Sequence, residues 1–175
     1  MRELFEKSPL KLPKKLLQQM AKLRIVKVGD EILRKRCRPV EEITPKIIRL
    51  LDDMAETMRE ANGVGLAAPQ IGILRRMVVI EVEEGNLIEL INPRIIAFSG
   101  EQEGSEGCLS VPNKWGTVKR PMHVTVRATN RHGEEFDITG SELLARALCH
   151  ELDHLDGKLY IDIATNIETV PPEER

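Results

Sequence analysis

Three cysteines, an odd number with no paired spacing, are too few to form a disulfide framework in a chain of 175 residues. They fit a reducing compartment, and the cytoplasm is the expected location. No apolar run approaches the roughly 18 residues that a bilayer-spanning helix needs. The start, Met1-Arg2-Glu3-Leu4-Phe5-Glu6-Lys7, lacks the apolar core of a secretory signal, and Glu3 and Glu6 argue against an acid-poor transit peptide. Charge of one sign is also missing. The 26 basic and 28 acidic side chains leave a net charge of −2, so no global field draws in nucleic acid or an acidic membrane. What is present is a content of 41% hydrophobic residues, enough for one sizeable core in a chain of single-domain length.

The pattern along the chain divides into an N-terminal extension, residues 1–22, and one domain, residues 23–175. The extension carries Pro9, Pro13, the basic Lys11, Lys14 and Lys15, and a short helical pattern at Leu16, Leu17 and Met20. From Thr44 to Ala61 the apolar residues Ile47, Ile48, Leu51, Met54, Ala55 and Met58 recur at helical spacing, with Pro45 in the first turn, which predicts an amphipathic helix with core-filling methionines. The period then shortens. Residues 76–82, 86–91 and 123–128 are β-prone runs, and 130–134 is a hairpin turn returning through 135–138, with His132 at its tip. A last helix is expected from Gly140 or Ser141, the latter as N-cap, to Gly157, with a Glu142–Arg146 ion pair on its outer side. The fold class is α+β, with mostly antiparallel sheets packed around this last helix.

That helix carries His150-Glu151-Leu152-Asp153-His154. Residues four apart share a helix face, so His150 and His154 can bind one divalent cation, with Glu151 placed to take a proton from water held there. A salt-bridged surface helix is the bland alternative, and a third ligand would decide the matter. One protease pattern continues to a third His, but Tyr160 stands at that position. A thermolysin-like Glu on a further helix is also missing, since only Glu168, Glu173 and Glu174 follow, in a tail containing Pro171-Pro172. Upstream, Glu106-Gly107-Cys108-Leu109-Ser110 offers Cys108 as the candidate third ligand, although a free cysteine is more often a small buried apolar residue. A third segment, Gly63-Val64-Gly65-Leu66-Ala67-Ala68-Pro69-Gln70, suits a loop that lets backbone approach a ligand closely. It is a poor phosphate cradle, because the helix-like segment precedes it.

Taken together, Gly-Val-Gly-Leu-Ala-Ala-Pro-Gln, Glu-Gly-Cys-Leu-Ser and His-Glu-Leu-Asp-His, in this order, closely resemble the three motifs of peptide deformylase. The resemblance runs from about Leu23 to about Asp162. It implies a hydrolase that removes the N-formyl group from the N-terminal formyl-methionine of new polypeptides and releases formate. Cys108, His150 and His154 would hold one divalent metal ion, Fe(2+) by family experience, with Zn(2+) or Ni(2+) able to substitute. The resemblance makes Glu151 the general base and assigns the oxyanion to the Gln70 side-chain amide and the Leu109 backbone N–H. Gly65 would approach the substrate backbone, Val64 and Ala147 would line an apolar pocket for methionine, and Glu106 is counted with Val64 and Gly65 among the substrate-binding residues. Glu106 would also pair with Arg120 to hold the cysteine turn. Trp115, the only tryptophan, either walls the peptide groove or packs. The expected partners are N-formyl-methionyl nascent peptides, with no direct nucleic acid and no membrane. A transient ribosome contact is kept, without the basic C-terminal helix some relatives use, since this chain ends in Ile167-Glu168-Thr169-Val170-Pro171-Pro172-Glu173-Glu174-Arg175. The competing readings are a metallopeptidase and a non-catalytic structural metal module, the latter needing a fourth ligand.

Overall fold

The computed structural model describes residues 23–171. The expected extension, residues 1–22, lies outside them. Among the described residues, eight strands and two α-helices follow in chain order, with three short 3-10 turns: α1 (Pro45–Glu60), β1 (Gly65–Ala67), β2 (Met77–Ile80), β3 (Ile88–Ser99), β4 (Gln102–Cys108), β5 (Val111–Arg120), β6 (His123–Thr129), β7 (Glu135–Ser141), α2 (Leu143–Leu155) and β8 (Thr165–Thr169). Five strands form one antiparallel sheet in the order β1-β2-β3-β6-β7, and three form a second in the order β4-β5-β8. The class is α+β, as expected. No helix among the described residues is long and apolar enough to cross a membrane.

The strand period explains the layering. In β2 every residue is buried, but alternate side chains serve different neighbours. Val78 and Ile80 join Leu148, Leu152 and Leu155 of α2 in one cluster, whereas Met77 and Val79 join Leu51, Met54 and Met58 of α1 in another. The five-stranded sheet is therefore covered by a helix on each face. α1 begins as its sequence predicts, with the Thr44 hydroxyl accepting from the Ile47 N–H at 3.3 Å and Pro45 in the first turn. Its two core methionines are fully buried. A third cluster of Val111, Val118 and Tyr160 supports the smaller sheet.

Several expectations are corrected. α2 starts at Leu143, not at Gly140 or Ser141, because the ladder to β6 continues through Val124↔Gly140 and His123↔Ser141. The Ser141 hydroxyl meets His123 Nδ1 at 2.8 Å instead of capping the helix. Glu142 occupies the cap position with φ 54° and no side-chain cap. Arg146 makes no ion pair with it and donates from Nη1 to the Ser105 carbonyl at 3.2 Å. The segment around Gly65 is not merely a loop but a short strand followed by a 3-10 turn, Ala68–Ile71. β3 runs to Ser99, well past the expected end at Ile91, and β4, which leads into Cys108, carries no β-prone pattern in its sequence.

Candidate metal centre

α2 brings His150 and His154 to one face, with ring centroids 5.1 Å apart. β4 ends opposite them at Cys108, whose Sγ is 3.4 Å from His154 Nε2. One donor atom from each of Cys108, His150 and His154 falls within 4.8 Å of the others. Ions that bind imidazole nitrogen at about 2.0–2.1 Å and thiolate sulfur at about 2.3 Å fit a triangle of that size. No fourth protein donor joins the group among the described residues, which leaves room for water or substrate.

The surroundings hold this set in place. Arg120 donates to both oxygens of Glu106, at 2.9 and 3.1 Å, and from Nη1 to Asp153 at 2.7 Å. Glu106 Oε2 lies 2.9 Å from His150 Nδ1. Burial works against a charged Glu106, but the hydrogen bonds from His150 and Arg120 outweigh it and pull the carboxyl down to about 2. An ionised Glu106 can only accept, so His150 Nδ1 carries the proton and Nε2 is left for the metal face. Tyr160 stacks on His150 with centroids 5.8 Å apart. For His150 itself, burial opposes charge but its hydrogen bonds to Cys108 and Glu106 win, so its pKa lies well above the ordinary value. His154 goes the other way: burial and the neighbouring His150 hold it well below, and its Nδ1 is buried with no partner.

Glu151 is buried beside the histidines, and one of its oxygens has no partner. Burial pushes its carboxyl up to about 7, with repulsion from Glu106 adding to this and His150 opposing it. A cation on the adjoining ligands would pull it back toward the ionised form. β1 makes room for this side chain. Gly65 and Ala67 face α2, and a Cβ on Gly65 would sit 2.9 Å from Glu151 Cδ and closer still to Oε1. Only glycine tolerates that approach.

A cleft of about 940 Å³ opens over the centre. Val64, Gly65, Gln70, Glu106, Cys108, Leu109, Trp115, Ala147, His150 and Glu151 are among its lining residues. Trp115 therefore walls the groove. Gln70 is fully buried, its Oε1 accepting from the Ala67 N–H at 2.9 Å and its Nε2 aimed at Ser110 Oγ (3.1 Å) and Cys108 Sγ (3.5 Å). The Leu109 carbonyl accepts from Lys27 Nζ at 2.8 Å, which ties the turn after Cys108 to the start of the domain. Glu106 reaches the cleft, but both of its oxygens are engaged by Arg120 and His150. The remaining cysteines and histidines stay away. Cys37 and Cys149 are buried thiols pushed up to about 11, and His123 and His132 are exposed on the β6–β7 hairpin. The sequence reading missed Asp153 and Tyr160 as supports. Asp153 lies inside the pentad, where its spacing was the available signal, whereas nothing local marked Tyr160 as a stacking partner.

The polypeptide deformylase family model matches residues 22–170. A peptide deformylase of Agathobacter rectalis is 60% identical over 141 residues, covering 80% of this chain and 89% of that one. A crystal structure of a peptide deformylase from Legionella pneumophila superposes with a TM-score of 0.81 at 46% identity, over 83% of this chain and 88% of that one. A Synechococcus elongatus peptide deformylase in complex with actinonin gives a TM-score of 0.80 at 36% identity, over 82% and 81% of the two chains.

Proposed function

We infer the chemistry of this centre from the premise that the chain belongs to the polypeptide deformylase family: it is a metal-dependent hydrolase that removes the N-formyl group from N-formyl-methionyl peptides and releases formate. The observation that carries the reading is a buried, half-unpartnered Glu151 carboxylate beside a three-donor Cys108, His150 and His154 set, at the floor of an open cleft. These three residues would hold the cation, which when bound supplies a Lewis acid for water and for the formyl carbonyl. Thiolate and imidazole donors favour a first-row transition metal, and we assign Fe(2+), with Zn(2+) or Ni(2+) able to replace it.

The chain's own groups supply the rest. Glu151 takes the proton of the attacking water and returns it to the departing amine, so that the C–N bond breaks to give formate and a free amino terminus. Gln70 Nε2 and the Leu109 N–H serve as donors to the carbonyl oxygen as charge develops on it. Val64 and Ala147 line the place of the first side chain, and Gly65 lets the substrate backbone approach Glu151. Glu106 acts through His150 and the cysteine turn rather than on substrate. The catalytic domain is taken as residues 23–175, preceded by the extension 1–22. We place the enzyme in the cytoplasm, acting on nascent chains through a transient ribosome contact, with no direct nucleic acid or membrane partner.

Formate release from a formyl-methionyl tripeptide, using protein purified without oxygen, tests the reading. The wild type should release formate. Cys108→Ala should lose both metal and activity, and Glu151→Gln should keep the metal while losing activity by at least about 100-fold. Fully metallated wild type that releases no formate would overturn the proposal.

A further inference from the structure

The cleft contains a cation that the reaction above leaves unused. Arg146 stands on α2 four residues before His150, about 6 Å along the axis at roughly 1.5 Å per residue and on the same face. Its side chain lines the cleft together with Val64, Leu143 and Ala147, which are apolar. The guanidinium packs over Gly104, where a Cβ would lie 3.0 Å from Arg146 Cζ, so the absence of a side chain there admits it. Nη1 donates to the Ser105 carbonyl at 3.2 Å, and Nε is buried with no acceptor. Ser105 is the only acceptor the group reaches among the described residues. A guanidinium has five N–H donors, so Arg146, which lines the cleft, has donors to spare.

We propose that Arg146 is a specificity-determining residue that donates a hydrogen bond to an acceptor at the end of the substrate's first side chain, so that the cleft selects a thioether over an equally long hydrocarbon. The inference rests on the deformylase reading. An unbranched side chain that runs from the reacting carbonyl along α2 ends one turn away, at the guanidinium. Methionine brings a sulfur there, a weak acceptor that a charged donor still engages. Norleucine has the same shape with a methylene in place of sulfur, and leaves the donor facing hydrocarbon. A purely apolar pocket would favour norleucine, the more hydrophobic of the two, and a donor that engages the sulfur shifts the preference toward methionine.

The test compares kcat/KM for formyl-Met-Ala-Ser and formyl-Nle-Ala-Ser in metal-loaded wild type, Arg146→Met and Arg146→Lys. The wild type should favour the methionyl peptide by about three- to tenfold. Arg146→Met should bring the ratio to about one or below, and Arg146→Lys, which keeps a charged donor, should retain part of it. A wild-type ratio at or below one overturns the proposal without any variant. A ratio unchanged in Arg146→Met, with both peptides slowed equally, also overturns it and leaves Arg146 as a tie between α2 and β4. Formate release from neither peptide by the metallated wild type would overturn the deformylase reading instead.

Discussion

Glu106 concentrates the problem this centre has to solve, which is to hold an imidazole in one tautomer inside a protein without leaving a buried charge alone. Its side chain and that of Arg120 are 7% and 6% exposed, so each would be costly without the other. The pair is worth keeping because it is bidentate and because the second Glu106 oxygen also receives His150 Nδ1–H. Glu106→Gln keeps the shape but loses the charge. Metal affinity should fall by about 10- to 100-fold in competition with a chromogenic chelator. Urea unfolding should show a loss no greater than the roughly 3–5 kcal/mol of a broken buried pair, because Asp153 still faces Arg120. Unchanged affinity would mean that His150 is oriented by packing against Tyr160 alone.

α1 and β4 show what a sequence does and does not disclose about an element. The helix was legible from end to end, because a 3.6-residue period, a Thr44 cap and Pro45 all pointed the same way, and Pro45–Glu60 falls within the expected span. Its energetics follow from burial. Met58 is fully buried against the sheet, so Met58→Ala should cost about 2–5 kcal/mol in a urea titration, with metal content retained. A cost under about 1 kcal/mol would mean that the cavity collapses. β4, Gln102–Cys108, was not legible. Gln-Glu-Gly-Ser-Glu-Gly-Cys contains no β-branched or aromatic residue, and its strand state comes from pairing with β5, where Val111 and Val118 are buried. The start of α2 was misplaced for a similar reason: a ladder partner, invisible in a local window, outcompeted a good cap residue. The candidate ligands were legible as motifs, but the convergence of Cys108 on His154, 46 residues away, follows from sheet topology, which no local pattern encodes.

At the scale of the molecule, the early and late parts of the described chain are joined at the surface by Arg34 Nη1 and Asp162 Oδ2, 2.6 Å apart. The hydrogen bond from Arg34 holds the Asp162 carboxyl below its ordinary value, against some desolvation. A depressed folded-state pKa contributes stability that is present above the unfolded value, near about 3.9, and is lost as pH falls through the folded value. The stability gap between wild type and Asp162→Asn should therefore be constant from neutral pH to about pH 5 and close below about pH 4. It should be small, since both side chains are well exposed, and a gap that widens in acid would contradict this account. The sheet order has a wider consequence. β1 stands at the end of the five-stranded sheet, with β2 on one side and the cleft on the other. An extended chain lying in the cleft thus meets a strand edge, whose main-chain donors and acceptors are indifferent to the side chains passing over them. Under the proposed function, one catalyst would in this way serve many different sequences, because the backbone it meets along that edge is the part all polypeptides share.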